Sequence, residues 1–151
     1  MSRDWSLRLA RPGDDAVIAQ LDAGRSAESA ARLIRKGHCL TAHMRDAPAG
    51  FLVSEPFSRE LHVWQIFVTP AYRQGGIGSG LARACVIDGR NAGFRAVTLT
   101  TDRDSTAFLM RLGFEEVTAL DAHLRLAGEL ANEVDDGLAP ESRCAMICFL
   151  D

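Results

Sequence analysis

The sequence predicts a single α/β domain on a mixed, mostly antiparallel sheet of six or seven strands flanked by helices. Three observations carry this. Apolar runs between His38 and Val68, interrupted by turn residues at Arg45–Ala49 and Glu55–Arg59, describe a three-strand antiparallel meander. The run ending at Val68 is followed by a glycine-rich turn, a helix-spaced segment and a new apolar run, Ala96–Thr101, a crossover that makes the two strands parallel neighbours. A last apolar run, Cys144 to Leu150, lies beyond a Gly137-Leu138-Ala139-Pro140 break and closes the sheet. With 151 residues, 47% of them apolar, the chain 1–151 holds one domain with a sizeable core.

In order, Ser6–Ala10 alternates as a first strand, and Pro12-Gly13-Asp14-Asp15 breaks it and caps a helix through Val17, Ile18 and Leu21. Ser29 to Arg35 forms a second helix, with Ala30, Ala31, Leu33 and Ile34 on its apolar side and Gly37 at its end. The meander follows: His38–Met44, Gly50–Ser54, and Leu61–Val68 as central strand. A helix then runs to about Asn91 and stops at Gly93. After Ala96–Thr101, Asp102 to Ser105 caps a short helix carrying Phe108, Leu109 and Leu112, and Gly113-Phe114 leads into a strand through Val117. Asp121 to about Val134 is helical, an addition that would shield a sheet edge or contribute to a homodimer.

A charged fraction of 25% and a formal charge of −3 give no footprint for nucleic acid. The Met1-Ser2-Arg3-Asp4-Trp5 start carries no apolar signal segment, and no run is long enough to span a bilayer, so a cytoplasmic enzyme or binding module is expected. Cys39, Cys85, Cys144 and Cys148 form no C-x-x-C pair and read as buried free thiols. His38, His43 and His123 lack metal-ligand spacing, and no metal is expected.

The chemistry gathers at Ile66-Phe67-Val68-Thr69-Pro70-Ala71-Tyr72-Arg73-Gln74-Gly75-Gly76-Ile77-Gly78-Ser79-Gly80-Leu81, an apolar strand, a proline, four glycines within six residues and a helix. Glycines let a backbone approach a ligand and aim several N–H groups one way, and the helix behind adds a positive dipole end, so the turn suits a phosphate. The competing reading is an ordinary glycine-rich strand-to-helix turn. A nucleotide P-loop would need Lys then Ser or Thr after its last glycine, and Gly80-Leu81 offers neither. The dinucleotide fingerprint lacks its third glycine, because Gly76-x-Gly78 is followed by Leu81.

Arg73-x-x-Gly76-x-Gly78, preceded by Val68-Thr69-Pro70, resembles the acetyl-CoA site of the GNAT N-acetyltransferase superfamily, and Gly137-Leu138-x-Pro140-x-x-Arg143-x-Ala145-Met146 is similar to the tail of one group of its small bacterial members. The likeness covers most of the chain from Leu61 onward. It implies a central strand pair splayed around the pantetheine arm of acetyl-CoA. The amides of Gln74, Gly75, Gly76, Ile77, Gly78 and Ser79 would bind the pyrophosphate, with Arg73 adding charge. Phe67 and Val68 would hold the pantetheine, the Val68 N–H serving as oxyanion donor. His62 stands where some members present a catalytic Glu and is expected to deprotonate the amine, with Glu60 and Glu55 as alternatives; strand alternation puts Glu60, His62, Trp64 and Ile66 on one face. The early helices would shape a pocket for a small-molecule or peptide amine.

One departure stands out. Many members carry a tyrosine four residues before the Gly-Phe pair that protonates the leaving thiolate, and this chain has Leu109 there. Ser105 or water is the substitute, and Tyr72 beside the turn reads as packing. Arg111 on the short helix is positioned to reach the 3′-phosphate of coenzyme A. The implied function is acetyl transfer to a primary amine by direct attack in a ternary complex. A non-catalytic acyl-CoA-binding regulatory module and transfer of a longer acyl group stay open beside it.

Overall fold

A computed structural model describes residues 4–150; the start of the N-terminal stretch, Met1 to Arg3, and Asp151 lie outside the described residues. Seven strands form one sheet in the order β1-β2-β3-β4-β5-β7-β6. They are β1 (Trp5–Leu9), β2 (Leu40–Met44), β3 (Ala47–Phe57), β4 (Glu60–Val68), β5 (Ala96–Asp102), β6 (Glu115–Glu116) and β7 (Arg143–Phe149). The helices are α1 (Asp14–Leu21), α2 (Ala27–Arg35), α3 (Ile77–Asn91), α4 (Thr106–Arg111) and α5 (Leu124–Asp135). Every neighbouring pair is antiparallel except β4 and β5, which run parallel.

Strand alternation sorts the core into two faces. On one, Leu61 and Val63 of β4, Val97 and Leu99 of β5 and Cys144, Met146 and Cys148 of β7 pack under the apolar stripe of α3, whose buried residues include Ile77, Leu81, Cys85 and Val86. On the other, Phe51 and Val53 meet Ile18 of α1 and Ala30, Leu33 and Ile34 of α2. Beside them Ala96, Ala145 and Ile147 are covered by Leu126 of α5. Helix α5 therefore covers a face of the sheet, where an edge shield or a contribution to a homodimer was expected. Its first turn of sequence, Leu120–Ala122, is a separate 3₁₀ turn.

Element boundaries shift for local reasons. Helix α2 starts two residues earlier than expected, because Ser26 caps it by accepting the Ser29 N–H at 3.0 Å. The expected Glu55–Arg59 turn is strand as far as Phe57, and the reversal is confined to Ser58 and Arg59, with Ser58 at φ 57°. The last β2 residue paired to β3 on this side is Leu40, opposite Leu52, so one edge of β3 is unpaired beyond it and Pro56, lacking an N–H, breaks no ladder bond there.

Strand β4 carries the feature that builds the site. Val53 pairs with Gln65 and Ser54 with Val63, so Trp64 is an extra residue opposite β3. The bulge resets the alternation. His62 and Trp64 share a face, with ring centroids 4.6 Å apart, while Ile66 lies on the opposite face with Leu61 and Val63. The expectation of a single Glu60–His62–Trp64–Ile66 face thus fails at Ile66. Pairing between β4 and β5 ends at Val63 and Leu99, immediately before the bulge, and the two strands separate beyond it.

Candidate active site

The separation leaves a cleft of about 610 Å³, lined on one side by Trp64 to Val68 and on the other by Leu99 to Asp102. Alternation fixes which main-chain groups face it. The Thr69 N–H bonds the Ala49 carbonyl at 2.9 Å and Phe67 pairs with Phe51, so Phe67 and Thr69 turn their peptide groups toward β3. Val68 and Ile66, one position out of phase, turn theirs into the gap, where β5 offers no ladder partner. Of the two residues expected to hold a pantetheine, Val68 presents its amide and Phe67 only its ring, which stacks on Phe51 at 5.4 Å.

A second hollow of about 410 Å³ shares Val68, Arg73, Gly78 and Phe108 with the cleft and is lined further by Tyr72, Gln74, Gly76, Ile77 and Ser79. Here the chain leaves β4 through a 3₁₀ turn, Pro70–Tyr72, and enters α3 through two left-handed residues, Gln74 at φ 70° and Gly76 at φ 90°. The N-terminal amides of Ile77, Gly78 and Ser79 precede the first helical bond, from the Gly80 N–H to the Gly76 carbonyl at 2.9 Å, and are free for an anion. A Cβ on Gly78 would point at Val68 Cγ2, 3.8 Å away, narrowing the passage between the two hollows. Arg73 Nε donates to the Val68 carbonyl at 2.8 Å, and its guanidinium stands 5.8 Å from the Phe67 ring centre.

Trp5, which sequence reasoning missed, braces this turn. Its indole Nε1 donates to the Gly75 carbonyl at 3.0 Å, and its ring lies where a side chain on Gly80 would be. Gly75 thus serves the turn through a carbonyl held by β1 and does not line either hollow. No local signal links residues seventy positions apart.

The expected bases sit elsewhere. His62 is 1% exposed and its Nδ1 meets Thr98 Oγ1 at 2.8 Å and Arg125 Nη1 at 3.0 Å. A guanidinium only donates, so Nδ1 is an acceptor and the ring proton sits on Nε2. Burial, aided by the Arg125 charge, depresses the imidazole pKa to about 3. This ring neither lines the cleft nor has a free lone pair for a proton. Glu60 bonds Arg95 and Arg125, each at 2.9 Å, in a separate hollow beside the β3–β4 turn. Glu55 is buried; burial alone would raise its pKa, but bonds from Lys36, Trp64 Nε1 and Arg32 outweigh that and bring it down to about 2. All three are held in bonds to neighbouring side chains, and none lines the cleft.

On the α4 side of the cleft, Leu109 is 1% exposed and carries no ionisable proton, while Ser105 and Phe108 line the same wall. Thr100, another cleft residue, donates its hydroxyl to Glu133 of α5, which Arg143 holds at 2.9 Å. Arg111 is exposed on α4. The cysteines are all buried and free, and burial, then Asp88, pushes the Cys85 thiol up to about 12, consistent with packing. Among the described residues no cluster of metal-ligating side chains occurs, and no helix is long and apolar enough to cross a membrane.

A parallel pair opened at a bulge, beside a glycine turn whose amides are free, is a site suited to a long phosphorylated ligand. The chain belongs to the acetyltransferase (GNAT) family, whose family model matches residues 10–114. Acetyl-CoA is the donor substrate of that family, and this chain is an acetyl-CoA-dependent acetyltransferase. Solved structures give the same fold at low identity. Rv2747 from Mycobacterium tuberculosis in complex with CoA and NLQ is 21% identical, with a TM-score of 0.75 over 97% of this chain and 99% of its own. N-acetylglutamate synthase from Neisseria gonorrhoeae, complexed with coenzyme A and N-acetyl-glutamate, is 18% identical with a TM-score of 0.76; the match covers 100% of this chain but 36% of that one. The ribosomal-protein-S18-alanine N-acetyltransferase from Escherichia coli is 16% identical, with a TM-score of 0.70 over 97% and 94% of the two chains.

Proposed function

We propose that this chain transfers an acetyl group from acetyl-CoA to a primary amine by direct attack within a ternary complex. The observation that carries the reading is the continuous path from the Ile77–Ser79 amides to the unpaired edge of β4, sized and polarised for a diphosphate at one end and an extended amide-bearing arm at the other. Acetyl-CoA supplies a thioester whose carbonyl carbon is open to a neutral amine.

The chain's residues divide the work. Amides of Ile77, Gly78 and Ser79, with the exposed Arg73 beside them, hold the pyrophosphate. The Ile66 and Val68 peptide groups take the arm as an added strand would, and the Val68 N–H aims at the oxygen that gains charge, a donor worth about 3 kcal/mol in comparable sites. With His62, Glu60 and Glu55 engaged elsewhere, the amine's proton leaves through water in the open cleft. A thiol of pKa about 8.5 departs without a tyrosine, with Ser105 a hydroxyl on the same wall as Leu109.

Mixing the protein with acetyl-CoA and a panel of primary amines while following free thiol tests this. Amine-dependent thiol release with one equivalent of N-acetylated product is expected. Coenzyme A binding with no release for any amine favours the second reading, a regulatory acyl-CoA-binding module, which the apolar Leu109 supports. A series of longer acyl-CoAs measures acyl preference.

A further inference from the structure

Independently of the transferase reading, we infer that a second ligand site lies at the start of β4: the hollow lined by Phe57, Ser58, Arg59, Glu60, Arg95 and Arg125 binds a small-molecule phosphate monoester, whose phosphate the three guanidinium groups receive.

The hollow measures about 590 Å³, in the range of small-ligand sites and more than a bare oxyanion fills. Three arginines and a single carboxylate line it, in a chain whose formal charge is −3. Glu60 divides its oxygens between two of them, Oε1 accepting from Arg125 Nη2 and Oε2 from Arg95 Nη2, each at 2.9 Å. Burial alone would raise the Glu60 pKa, but these bonds outweigh it, so the carboxylate stays ionised and is shared by both partners. Arg59, exposed in the β3–β4 turn, forms no ion pair among the described residues. The cations in the hollow thus outnumber the anions three to one.

The guanidinium groups come from three elements and are held in place before any ligand arrives. Arg125 of α5 donates from Nη1 to His62 Nδ1 at 3.0 Å and from Nη2 to Thr98 Oγ1 at 2.8 Å, and lies 4.9 Å from the Phe57 ring centre. The Arg95 N–H donates to the Arg59 carbonyl at 2.8 Å, tying the turn to the start of β5 so that both side chains reach one hollow. Gathering like charges beside partly buried groups costs free energy, which a dianion returns, and side chains already fixed lose little entropy on binding it. A phosphate monoester accepts from several arginine forks at once, whereas one fork occupies a carboxylate.

This is not the anion position of the glycine turn. Nine residues of β4 separate the two, about 25 Å at the rise of a strand. A small ligand fits better than a long polyanion, which would meet the repulsion of an acidic chain beyond the hollow.

Calorimetry of the full chain with phenyl phosphate, inorganic phosphate and benzoate, with and without saturating coenzyme A, tests the inference. One equivalent of phenyl phosphate should bind at least tenfold more tightly than benzoate or inorganic phosphate, and equally well in the presence of coenzyme A. Arg59→Gln should leave the melting temperature unchanged and weaken phenyl phosphate about tenfold, the scale of one charge-assisted bond, and Arg59→Lys should restore part of that. Absence of binding at millimolar concentration, equal binding of benzoate, displacement by coenzyme A, or an affinity that Arg59→Gln leaves intact overturns the site. Inorganic phosphate binding as tightly as phenyl phosphate overturns the monoester assignment, and a phosphotyrosine peptide binding tenfold more tightly makes the occupant a protein and overturns the small-molecule one. Should coenzyme A itself fail to bind, the transferase reading falls, while the phenyl phosphate and Arg59 measurements still decide this site.

Discussion

Replacing Gly80 with alanine is expected to destabilise the protein and weaken coenzyme A binding, although alanine is the better helix former. Gly80 stands in the first turn of α3, where helix propensity alone favours alanine by about 1 kcal/mol. A Cβ there would lie 2.5 Å from Trp5 Cη2 and 2.9 Å from Cζ3, well inside the roughly 3.5 Å at which carbon atoms pack. Either the helix start shifts or the indole swings away and gives up its bond to the Gly75 carbonyl. Overpacking of this kind costs about 1–3 kcal/mol, and the lost bond about 1 kcal/mol more, which offsets the propensity gain and leaves a net loss of about 1–3 kcal/mol. Urea unfolding of the wild type, Gly80→Ala, Trp5→Leu and the double variant measures the coupling. With the indole gone, the alanine should stabilise, so the sign of its effect reverses between backgrounds. Coenzyme A affinity should fall in both single variants, because each frees the Gly75 carbonyl. A neutral or stabilising Gly80→Ala in the wild-type background would refute the bracing role of Trp5.

Other perturbations have definite signs. Because His62 stays neutral in the folded protein down to about pH 3 while the unfolded chain protonates it near 6.5, stability should fall as pH drops between those values, by an amount on the order of 4 kcal/mol; His62→Asn, which keeps an acceptor near Nδ1, should flatten that slope in pH-dependent urea titrations. Glu55 works through a lower window, its ionised form stabilising the fold above about pH 4.5 and losing on the order of 3 kcal/mol as pH falls to about 2, a dependence that Glu55→Gln should remove. Arg73→Gln should weaken coenzyme A binding about tenfold in calorimetry, with the loss shrinking at high salt. If water takes the amine's proton, the acid limb of the kcat/KM profile should follow the pKa of each amine used; a limb fixed near one pH across amines would point to a protein base.

Much of the geometry of the glycine turn and the strand pair was legible because it depends on short-range rules. Gly76 needs a left-handed φ, the amides after it need a helix start, and a strand-helix-strand crossover forces β4 and β5 parallel, all readable within a few residues. The acceptor half depends on pairing between distant segments. Nothing in Leu61-His62-Val63-Trp64-Gln65-Ile66 announces an extra residue, since plain alternation reads as well, and the misplaced Ile66 follows from that. His62 looked like a base because its type and position suit one. Its bond to Arg125, sixty-three residues away, depends on a helix whose docking no local pattern specifies. Trp5 escaped notice for the same reason, acquiring its bracing role only where β1 meets the turn before α3.

The surplus residue at Trp64 also sets a trade between robustness and usefulness. Deleting it would restore uninterrupted register with β3 and let the second half of β4 zip onto β5, exchanging a solvated groove for inter-strand bonds. Such a protein would gain a sealed sheet and lose both its groove and the Trp64 bond to Glu55. The gap between the two strands persists as an imperfection that only a passing substrate rewards.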